Sequence, residues 1–301
     1  MSNAIFVCSR NRDIQDEDIN RLSSIARAVS PDILSIDECD ILLEYSGRTA
    51  SMLWPQAGAF SQMLNGSIFL GASFEKEYVS WNEPLTIYPD GAYAIMRFDH
   101  NFAELLPDHL ASRTIWYYFD DEHIVASTSQ RAIIQYIQSF EFNSAALPWI
   151  LANGTLGPSQ SWDARINFVP SGCSLVLDRA DWRYSIICVH SEEKTSEENL
   201  EYSDLECAIR ETIEALPYDQ YKKSLLDLLG CYDSRAILCF MATDPKRNSL
   251  PRTVTWGLKE KQDVVSSDAF VAQKLAQYYG TCHQYFETNL SHESIEKIFR
   301  R

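Results

Sequence analysis

The sequence predicts two domains of different class: an α+β domain of stacked antiparallel sheets with outer helices, followed by an α/β doubly wound domain. Three observations support this. Apolar segments before residue 190 are separated by turn signals at hairpin spacing, which is typical of antiparallel sheets. Strand-like and helix-like segments alternate after residue 224, which is typical of parallel βαβ units. A strongly acidic stretch lies between the two patterns.

The strands of the first half follow short polar turns. Asn65-Gly66 precedes a predicted strand at 67–70, and Asp90-Gly91 precedes another at 92–98. An aromatic strand at 114–119 and a partner at 124–127 flank an acidic turn. Further strands are predicted at 4–8, 173–177 and 184–189, and helices at 18–29, 130–139 and 144–152.

The boundary and the second half are predicted from charge and periodicity. Residues 191–206 hold seven carboxylates and one lysine, so we expect a solvated linker. We place the boundary after residue 197, which gives domains at 1–197 and 198–301. The predicted elements are helices at 204–216, 234–242 and 267–279 and strands at 224–229, 253–256 and 282–286.

Composition disfavours several classes of partner. The chain of 301 residues has a formal net charge of −16, which repels nucleic-acid phosphates and anionic lipids. We therefore expect no nucleic-acid and no membrane partner. The longest apolar run, 236–242, is much shorter than the roughly 20 residues of a membrane span, and the N-terminus lacks a signal-peptide pattern. We expect a cytoplasmic protein.

The eight cysteines include no Cys-x-x-Cys pair, so the usual zinc spacing is absent. Cys188 and Cys239 lie within apolar runs, and we expect both to pack in the core as small apolar side chains. Without an export signal, we expect the thiols to be reduced.

The most distinctive local feature is the segment 229–235, Leu-Gly-Cys-Tyr-Asp-Ser-Arg, between a predicted strand and a predicted helix. Ligands bind at the carboxyl ends of parallel strands, and the N–H groups of a helix N-terminus suit phosphate. Gly230 would let the backbone approach a phosphate, and Ser234 would add a hydroxyl donor. An ordinary turn in which Asp233 or Ser234 caps the helix fits the same residues.

Residues 225–286 resemble the ATP-pyrophosphatase (PP-loop) domain of the asparagine synthetases, whose phosphate loop reads Ser-Gly-Gly-x-Asp-Ser. Gly230, Asp233 and Ser234 match that loop in the same strand-to-helix context. The next strand of the family is matched by residues 253–257, and the opening of the following helix, Ser-Asp-Ala, by residues 267–269.

Two positions of the loop depart from the family pattern. Leu229 replaces a serine and so removes a hydroxyl donor to phosphate. Cys231 replaces a glycine and adds a Cβ where the family's backbone approaches the nucleotide. The departures imply weaker nucleotide binding than an intact loop provides.

The first half resembles the glutaminase-type domain of the same family, which has an N-terminal-nucleophile fold. Residues 90–94 resemble its Asp-Gly-x-Phe-Ala strand, and residues 112–127 resemble its central hairpin. Residues 150–154 and 168–172 resemble the helix and the Pro-Gly turn that close the domain. Asn65-Gly66 resembles part of the family's Asn-Gly-Glu-Ile-Tyr, without the acidic segment that follows it there.

The resemblance fails at the nucleophile. The family has a cysteine at position 2, where this chain has Ser2. Cys8 lies inside a predicted strand and lacks the free α-amine that serves as base, and no Arg-Gly-Pro-Asp segment is present. We therefore expect no glutaminase activity and no role for Ser2 in one.

The PP-loop domain is expected to be incomplete. Family members continue to a second loop of the type Gly-x-Gly-x-Asp-Glu, and this chain ends at Arg301 without that motif. We expect a fragment, a truncated gene, or a domain that a second polypeptide completes.

The resemblance implies an ATP-dependent ligase that forms amide bonds. In that family, ATP converts a carboxylate to an acyl-adenylate with release of pyrophosphate, and an amine or ammonia then attacks. The implied cofactors are ATP and Mg²⁺, and the implied substrates are a small-molecule carboxylate and an amine or ammonia. Asp233 is the implied metal ligand, and no catalytic residue is assigned. The implied nucleotide site consists of Gly230, Cys231, Asp233, Ser234, Thr255, Gly257 and Asp268.

Two other classes fit parts of the sequence. A degenerate, non-catalytic paralogue that binds a nucleotide or a partner fits the altered loop and the missing second loop. A tRNA-modifying phosphate-loop enzyme shares the loop but needs a basic RNA-binding surface, which the net charge of −16 disfavours.

Overall fold

A computed structural model describes residues 2–30, 37, 40–55, 61–74, 80–86, 88–188, 201–215, 225–244 and 249–288. These residues form two compact units, one ending at residue 188 and one beginning at residue 201. The boundary predicted after residue 197 lies outside the described residues. No described helix combines the length and the apolar character that crossing a membrane requires.

The first unit contains two six-stranded sheets in which every paired strand is antiparallel. The strands of the first sheet, in spatial order, are β10 (Asn167–Phe168), β8 (Trp116–Phe119), β9 (His123–Ser127), β1 (Asn3–Ser9), β3 (Thr49–Trp54) and β2 (Leu42–Ser46). Those of the second are β12 (Arg183–Cys188), β11 (Cys173–Asp178), β7 (Phe102–Pro107), β6 (Gly91–Phe98), β5 (Ser67–Ser73) and β4 (Ser61–Leu64).

Strand β1 contributes to two layers of the core because successive side chains of a strand point to opposite faces. Ala4, Phe6 and Cys8 pack between the two sheets. Ile5 and Val7 pack on the other face of the first sheet. All five are fully buried, so the predicted arrangement of stacked antiparallel sheets is confirmed.

Helices cover the outer face of the first sheet. Helices α1 (Asp16–Val29) and α2 (Gln130–Ile137) bury their apolar side chains against that face. Among the described residues, the outer face of the second sheet is covered instead by the connection from β5 to β6, through Trp81 and Tyr88. The prediction of outer helices is therefore wrong for the described cover of the second sheet, where aromatic loop residues supply the apolar surface.

The helix predicted at 144–152 is divided in two. A 3₁₀ turn at Ser144–Ala146 precedes α3 (Leu147–Asn153), and Gly154 ends α3 with φ of 69°. Pro148 lies in the first turn of α3, where its missing N–H group is tolerated. No residue of α3 is buried.

The second unit begins with α4 (Tyr202–Ala215) and contains a three-stranded parallel sheet. Its elements alternate as predicted: β13 (Leu225–Asp227), α5 (Tyr232–Thr243), β14 (Arg252–Gly257), α6 (Asp268–Tyr279) and β15 (His283–Glu287). The described strands lie in the order β13-β14-β15, without the reversal that defines a doubly wound sheet. The doubly wound arrangement therefore stays a prediction.

Helices α5 and α6 share one small core. Leu238 of α5 packs with Ala272 and Ala276 of α6 and with Leu228, which follows β13. Both helices therefore lie on the same face of the sheet, as right-handed crossovers in a single direction require.

Two expectations for cysteines are wrong. Cys188 and Cys239 are exposed rather than buried. Cys188 lies on β12, an edge strand whose residues are all exposed. Cys239 is an exposed residue of α5 whose thiol interacts with Tyr279. An apolar run predicts a regular element but not which of its faces is covered.

Candidate functional site

The loop between β13 and α5 lies at the carboxyl edge of the parallel sheet. The Leu228 N–H group donates to the Val254 carbonyl at 2.8 Å, which extends the pairing past β13. Cys231 precedes α5 as its N-cap residue, with extended φ and ψ of −82° and 165°. These angles are open to any residue, so the Cβ of Cys231 introduces no backbone strain.

Gly230 lies directly against the start of α6. A Cβ on Gly230 would be 2.7 Å from the Cα of Asp268 and would also meet its carboxylate. Asp268 is the first residue of α6, and Ser267 caps that helix by accepting the Phe270 N–H at 3.1 Å. The N-termini of α5 and α6 therefore converge at the loop, and their partial positive charges add there.

The hydroxyl groups predicted to bind phosphate are engaged within the chain. Ser234 is buried, and its hydroxyl donates to the Leu229 carbonyl at 2.8 Å. Thr255 is also buried, and its hydroxyl donates to the Leu228 carbonyl. Both bonds hold the loop against the sheet.

Arg235 is a site residue to which sequence reasoning assigned no role. Its guanidinium donates to the Gly230 carbonyl and lies over the Tyr232 ring, with Cζ 5.2 Å from the ring centroid. The Nε atom of Arg235 is buried without a hydrogen-bond partner in the described structure. A cation one residue after the Asp-Ser pair, in the first turn of the helix, was the available sequence signal.

The remaining predicted site residues differ in position. Asp233 and Cys231 are exposed beside the first turn of α5. Gly257 lies against β15, where a Cβ would be 2.7 Å from the hydroxyl of Tyr285, which itself donates to the Leu258 carbonyl at 2.9 Å. The structure therefore brings Gly230, Ser234 and Asp268 together, whereas Gly257 is explained by its contact with Tyr285.

A second group of polar residues lies at the opposite, amino end of the same strands. Thr253 Oγ1 is 3.0 Å from His283 Nδ1 and 2.9 Å from Thr281 Oγ1. Burial lowers the pKa of His283 below its usual range, and His283 Nε2 is buried without a hydrogen-bond partner among the described atoms. This group ties β14 to β15.

In the first unit, Ser2 is buried immediately before β1. The Asn65-Gly66 turn is held by Glu44, whose carboxylate accepts the Gly66 N–H at 2.6 Å, and by Ser51, whose hydroxyl donates to the Gly66 carbonyl. A cavity of about 510 Å³ opens at this turn. Its lining includes Glu44, Tyr45, Thr49, Asn65 and Phe98. Composition and motif spacing had not indicated this cavity.

Comparison with solved structures yields distant similarities. No family model and no curated protein matches the chain. A solved structure of glutamine phosphoribosylpyrophosphate amidotransferase from B. subtilis, complexed with ADP and GMP, is similar at 8% identity and a TM-score of 0.34. The similarity covers 94% of this chain and 65% of that one, so the chain spans just under two thirds of that protein's length.

Proposed function

We propose that the second unit binds the phosphates of ATP, as the Mg²⁺ complex, at the loop between β13 and α5. We further propose that the chain belongs to an amide-forming ligase of the asparagine synthetase type without a glutaminase of its own. The observation that supports this best is the contact of Gly230 with Asp268, because it joins two predicted site segments at the carboxyl edge of the sheet.

The electrostatics of the loop are consistent with a metal-bound phosphate rather than a free one. Two helix N-termini favour an anion, whereas the Asp268 carboxylate beside Gly230 opposes one. Mg²⁺ prefers oxygen ligands and is usually held by one or two carboxylates together with phosphate oxygens. Asp268 fits that role, and Asp233 offers an exposed carboxylate on the first turn of α5.

The described residues contain no group of three or more His, Cys, Asp or Glu side chains placed to hold a metal by themselves. Phosphate oxygens would therefore complete the coordination. When bound, Mg²⁺ supplies positive charge that offsets charge on the leaving pyrophosphate.

The chain's own residues would position the nucleotide. The first N–H groups of α5 have no partner within the helix and point toward the loop, as at any helix N-terminus. Arg235 holds the loop conformation by its bond to the Gly230 carbonyl. Once the carboxylate substrate is adenylated, attack of ammonia or a substrate amine on its carbonyl carbon would form the amide and release AMP.

Titration calorimetry with ATP tests the site, with Mg²⁺ and then with a chelator. We expect binding that depends on Mg²⁺ and that weakens in Asp268→Asn by about 10- to 150-fold, the equivalent of one charge-assisted interaction. Asp263→Asn is the matched control, because Asp263 is an exposed carboxylate in the connection to α6. Equal weakening in both variants would contradict the assignment of Asp268.

Restoring the family loop tests the same site in the opposite direction. Leu229→Ser with Cys231→Gly adds a hydroxyl donor and removes a side chain, so ATP should bind about 10- to 150-fold more tightly. If the native chain binds no ATP and the double variant binds none either, the loop is not a nucleotide site.

A non-catalytic nucleotide-binding or partner-binding module is the second candidate. It is favoured by the Ser234 and Thr255 hydroxyls, which donate to the loop's own carbonyls and would have to change partner to reach a phosphate. Exchange of labelled pyrophosphate into ATP with candidate carboxylates separates the two. Exchange supports the ligase, and tight binding of ATP without exchange supports the module.

A further inference from the structure

Two cysteines face each other across the last hairpin of the first unit. Cys173 on β11 and Cys188 on β12 are direct partners in the antiparallel register. Their Sγ atoms lie 2.9 Å apart. The Cys173 N–H donates to the Pro170 carbonyl at 3.2 Å, and cross-strand partners that do not exchange backbone hydrogen bonds bring their side chains closest. Such a pair lies within the Cα separation that a disulfide accommodates.

The two thiols differ in access. Cys173 is buried and Cys188 is exposed. Burial, with a smaller effect of the neighbouring Cys188, raises the pKa of Cys173 to about 11. Cys188 is therefore the sulfur that a small molecule in solvent reaches first, and Cys173 is placed behind it.

We propose that Cys173 and Cys188 form a redox-active dithiol that a low-molecular-weight disulfide converts to a cross-strand disulfide. The Cys188 thiolate attacks one sulfur of the small disulfide, which forms a mixed disulfide and releases one small thiol. Cys173, as its thiolate, then attacks the Cys188 sulfur, which forms the cross-strand bond and releases the second small thiol. One small disulfide is reduced to two thiols for each protein disulfide formed.

The four other exposed cysteines of the described residues lack this arrangement. Cys207, Cys231, Cys239 and Cys282 are exposed. Within the described residues, none of these four has a second thiol at hydrogen-bond distance. Cys207, for example, has the Glu211 carboxylate 3.6 Å from its sulfur. We expect these thiols to form mixed disulfides that no neighbouring thiol of the described chain resolves.

The bond would lock an otherwise weakly held strand. Strand β12 is the edge of its sheet, and all six of its residues are exposed. Among the described residues, its backbone is paired on one side only, to β11. A covalent bond at Cys188 would fix the end of this strand and close a loop of 15 residues.

Mass spectrometry of the full chain after treatment with oxidised glutathione tests the proposal. We expect a peptide link between Cys173 and Cys188 with glutathione on neither residue, whereas an exposed single thiol such as Cys207 should carry an adduct. In Cys173→Ser, a glutathione adduct should remain on Cys188, because the resolving thiol is gone. Cys207→Ser is the control and should form the link as the unaltered chain does. A glutathione adduct retained on Cys188 of the unaltered chain, or links only between chains, would overturn the proposal.

Hydrogen exchange and thermal unfolding test the locking. Oxidation should slow amide hydrogen exchange in residues 183–188. It should also raise the midpoint temperature of thermal unfolding of the first unit by about 5–10 °C, as covalent closure of a loop of about 15 residues predicts. The double variant Cys173→Ser with Cys188→Ser should show neither change. A linked chain with unchanged exchange and midpoint would overturn the locking role.

Discussion

The two units of this chain bury apolar surface in different ways. In the first, two sheets enclose side chains such as Phe6 and Leu70 that are almost wholly buried. In the second, the main described cluster contains Leu228 and Leu238 with two alanines, and the strands β13 and β15 are mostly exposed. In the first unit, the two sheets cover each other's inner faces, and helices and loop residues cover their outer faces. In the second unit, α5 and α6 cover one face of the three described strands.

This difference predicts that the two units differ in stability. The first unit has the larger core and a fully buried ion pair between Arg97 and Glu104, so we expect it to be the more stable. The second unit carries the candidate nucleotide loop on a small core, and ligand-binding segments are commonly drawn from less stable regions. Variants matched between the units test this comparison.

The largest effect is expected at the buried ion pair of the first unit. Arg97 Nε and Glu104 Oε2 are 2.8 Å apart with both side chains fully buried, and Glu104 also accepts the Leu85 N–H at 2.8 Å. Glu104→Gln leaves a buried guanidinium without its counter-charge, which should cost about 3–5 kcal/mol of unfolding free energy. Denaturant titration measures it. Glu206→Gln in the exposed pair with Arg210 of α4 is the matched variant, and a comparable loss there would contradict the prediction.

Leucine truncation compares the two cores directly. Leu70 and Leu238 are both almost fully buried, and replacement of each by alanine should cost about 2–5 kcal/mol. We expect the loss of unfolding free energy for Leu238→Ala to lie at the lower end of this range. Its small cluster contains fewer large side chains that would line the resulting cavity. Leu110→Ala is the control, since Leu110 is 84% exposed. Separate unfolding transitions should each respond only to the variant in their own unit. If either variant shifted both transitions equally, the expectation that the two units unfold independently would be contradicted.

A smaller effect, confined to acid pH, is expected in the first unit. A hydrogen bond from Arg12 is the main cause that lowers the pKa of Asp18 to about 2. Its stabilising effect is complete above the ordinary carboxyl pKa of about 4 and is lost as pH falls through 2. Because Arg12 is half exposed, we expect about 1–2 kcal/mol at pH 7. Asp18→Asn should lose this stability and flatten the pH profile between 4 and 2. An unaltered slope in that window would refute it.

The smallest effect concerns His283 of the second unit. Burial lowers the pKa of this imidazole, so the unfolded chain binds its proton more readily than the folded unit does. Stability of the second unit should therefore fall as pH drops below about 6.5, the ordinary histidine pKa. His283→Asn keeps a polar partner for Thr253 and should remove this slope, while the first unit shows no change. If the stability of the second unit still falls below pH 6.5 in the variant, another titratable group causes the dependence.

Most helices and strands could be predicted because their signals are local. The Asn65-Gly66 pair predicts the turn between β4 and β5, and Gly280 ends α6 in a left-handed conformation with φ of 71°. The strands that sequence reasoning missed lack such local patterns. Strand β3 is buried at all six positions and shows no alternation of apolar and polar residues. Strand β7 contains Glu104, whose charge argues against a buried strand unless its ion pair with Arg97 is known.

The candidate site was predicted in part. The sequence placed Gly230, Ser234 and Asp268 in one site, and the structure brings them together. It did not indicate that Gly230 is required by the approach of α6, or that the Ser234 hydroxyl donates to Leu229. The acceptor of a hydroxyl group depends on where the neighbouring strand and helix lie. The motif alone does not specify those positions.

The sequence by itself determined the antiparallel sheets of the first unit, the alternation of strands and helices after residue 224 and the position of the glycine loop. These depend on periodicity, turn residues and helix starts, in which interacting residues are a few positions apart. The tertiary structure alone decided that Cys173 faces Cys188, that Arg97 neutralises Glu104, and that Asp268 closes on Gly230. Each of these contacts depends on strand register or on a crossover connection, because a shift by one residue would turn the side chain to the opposite face.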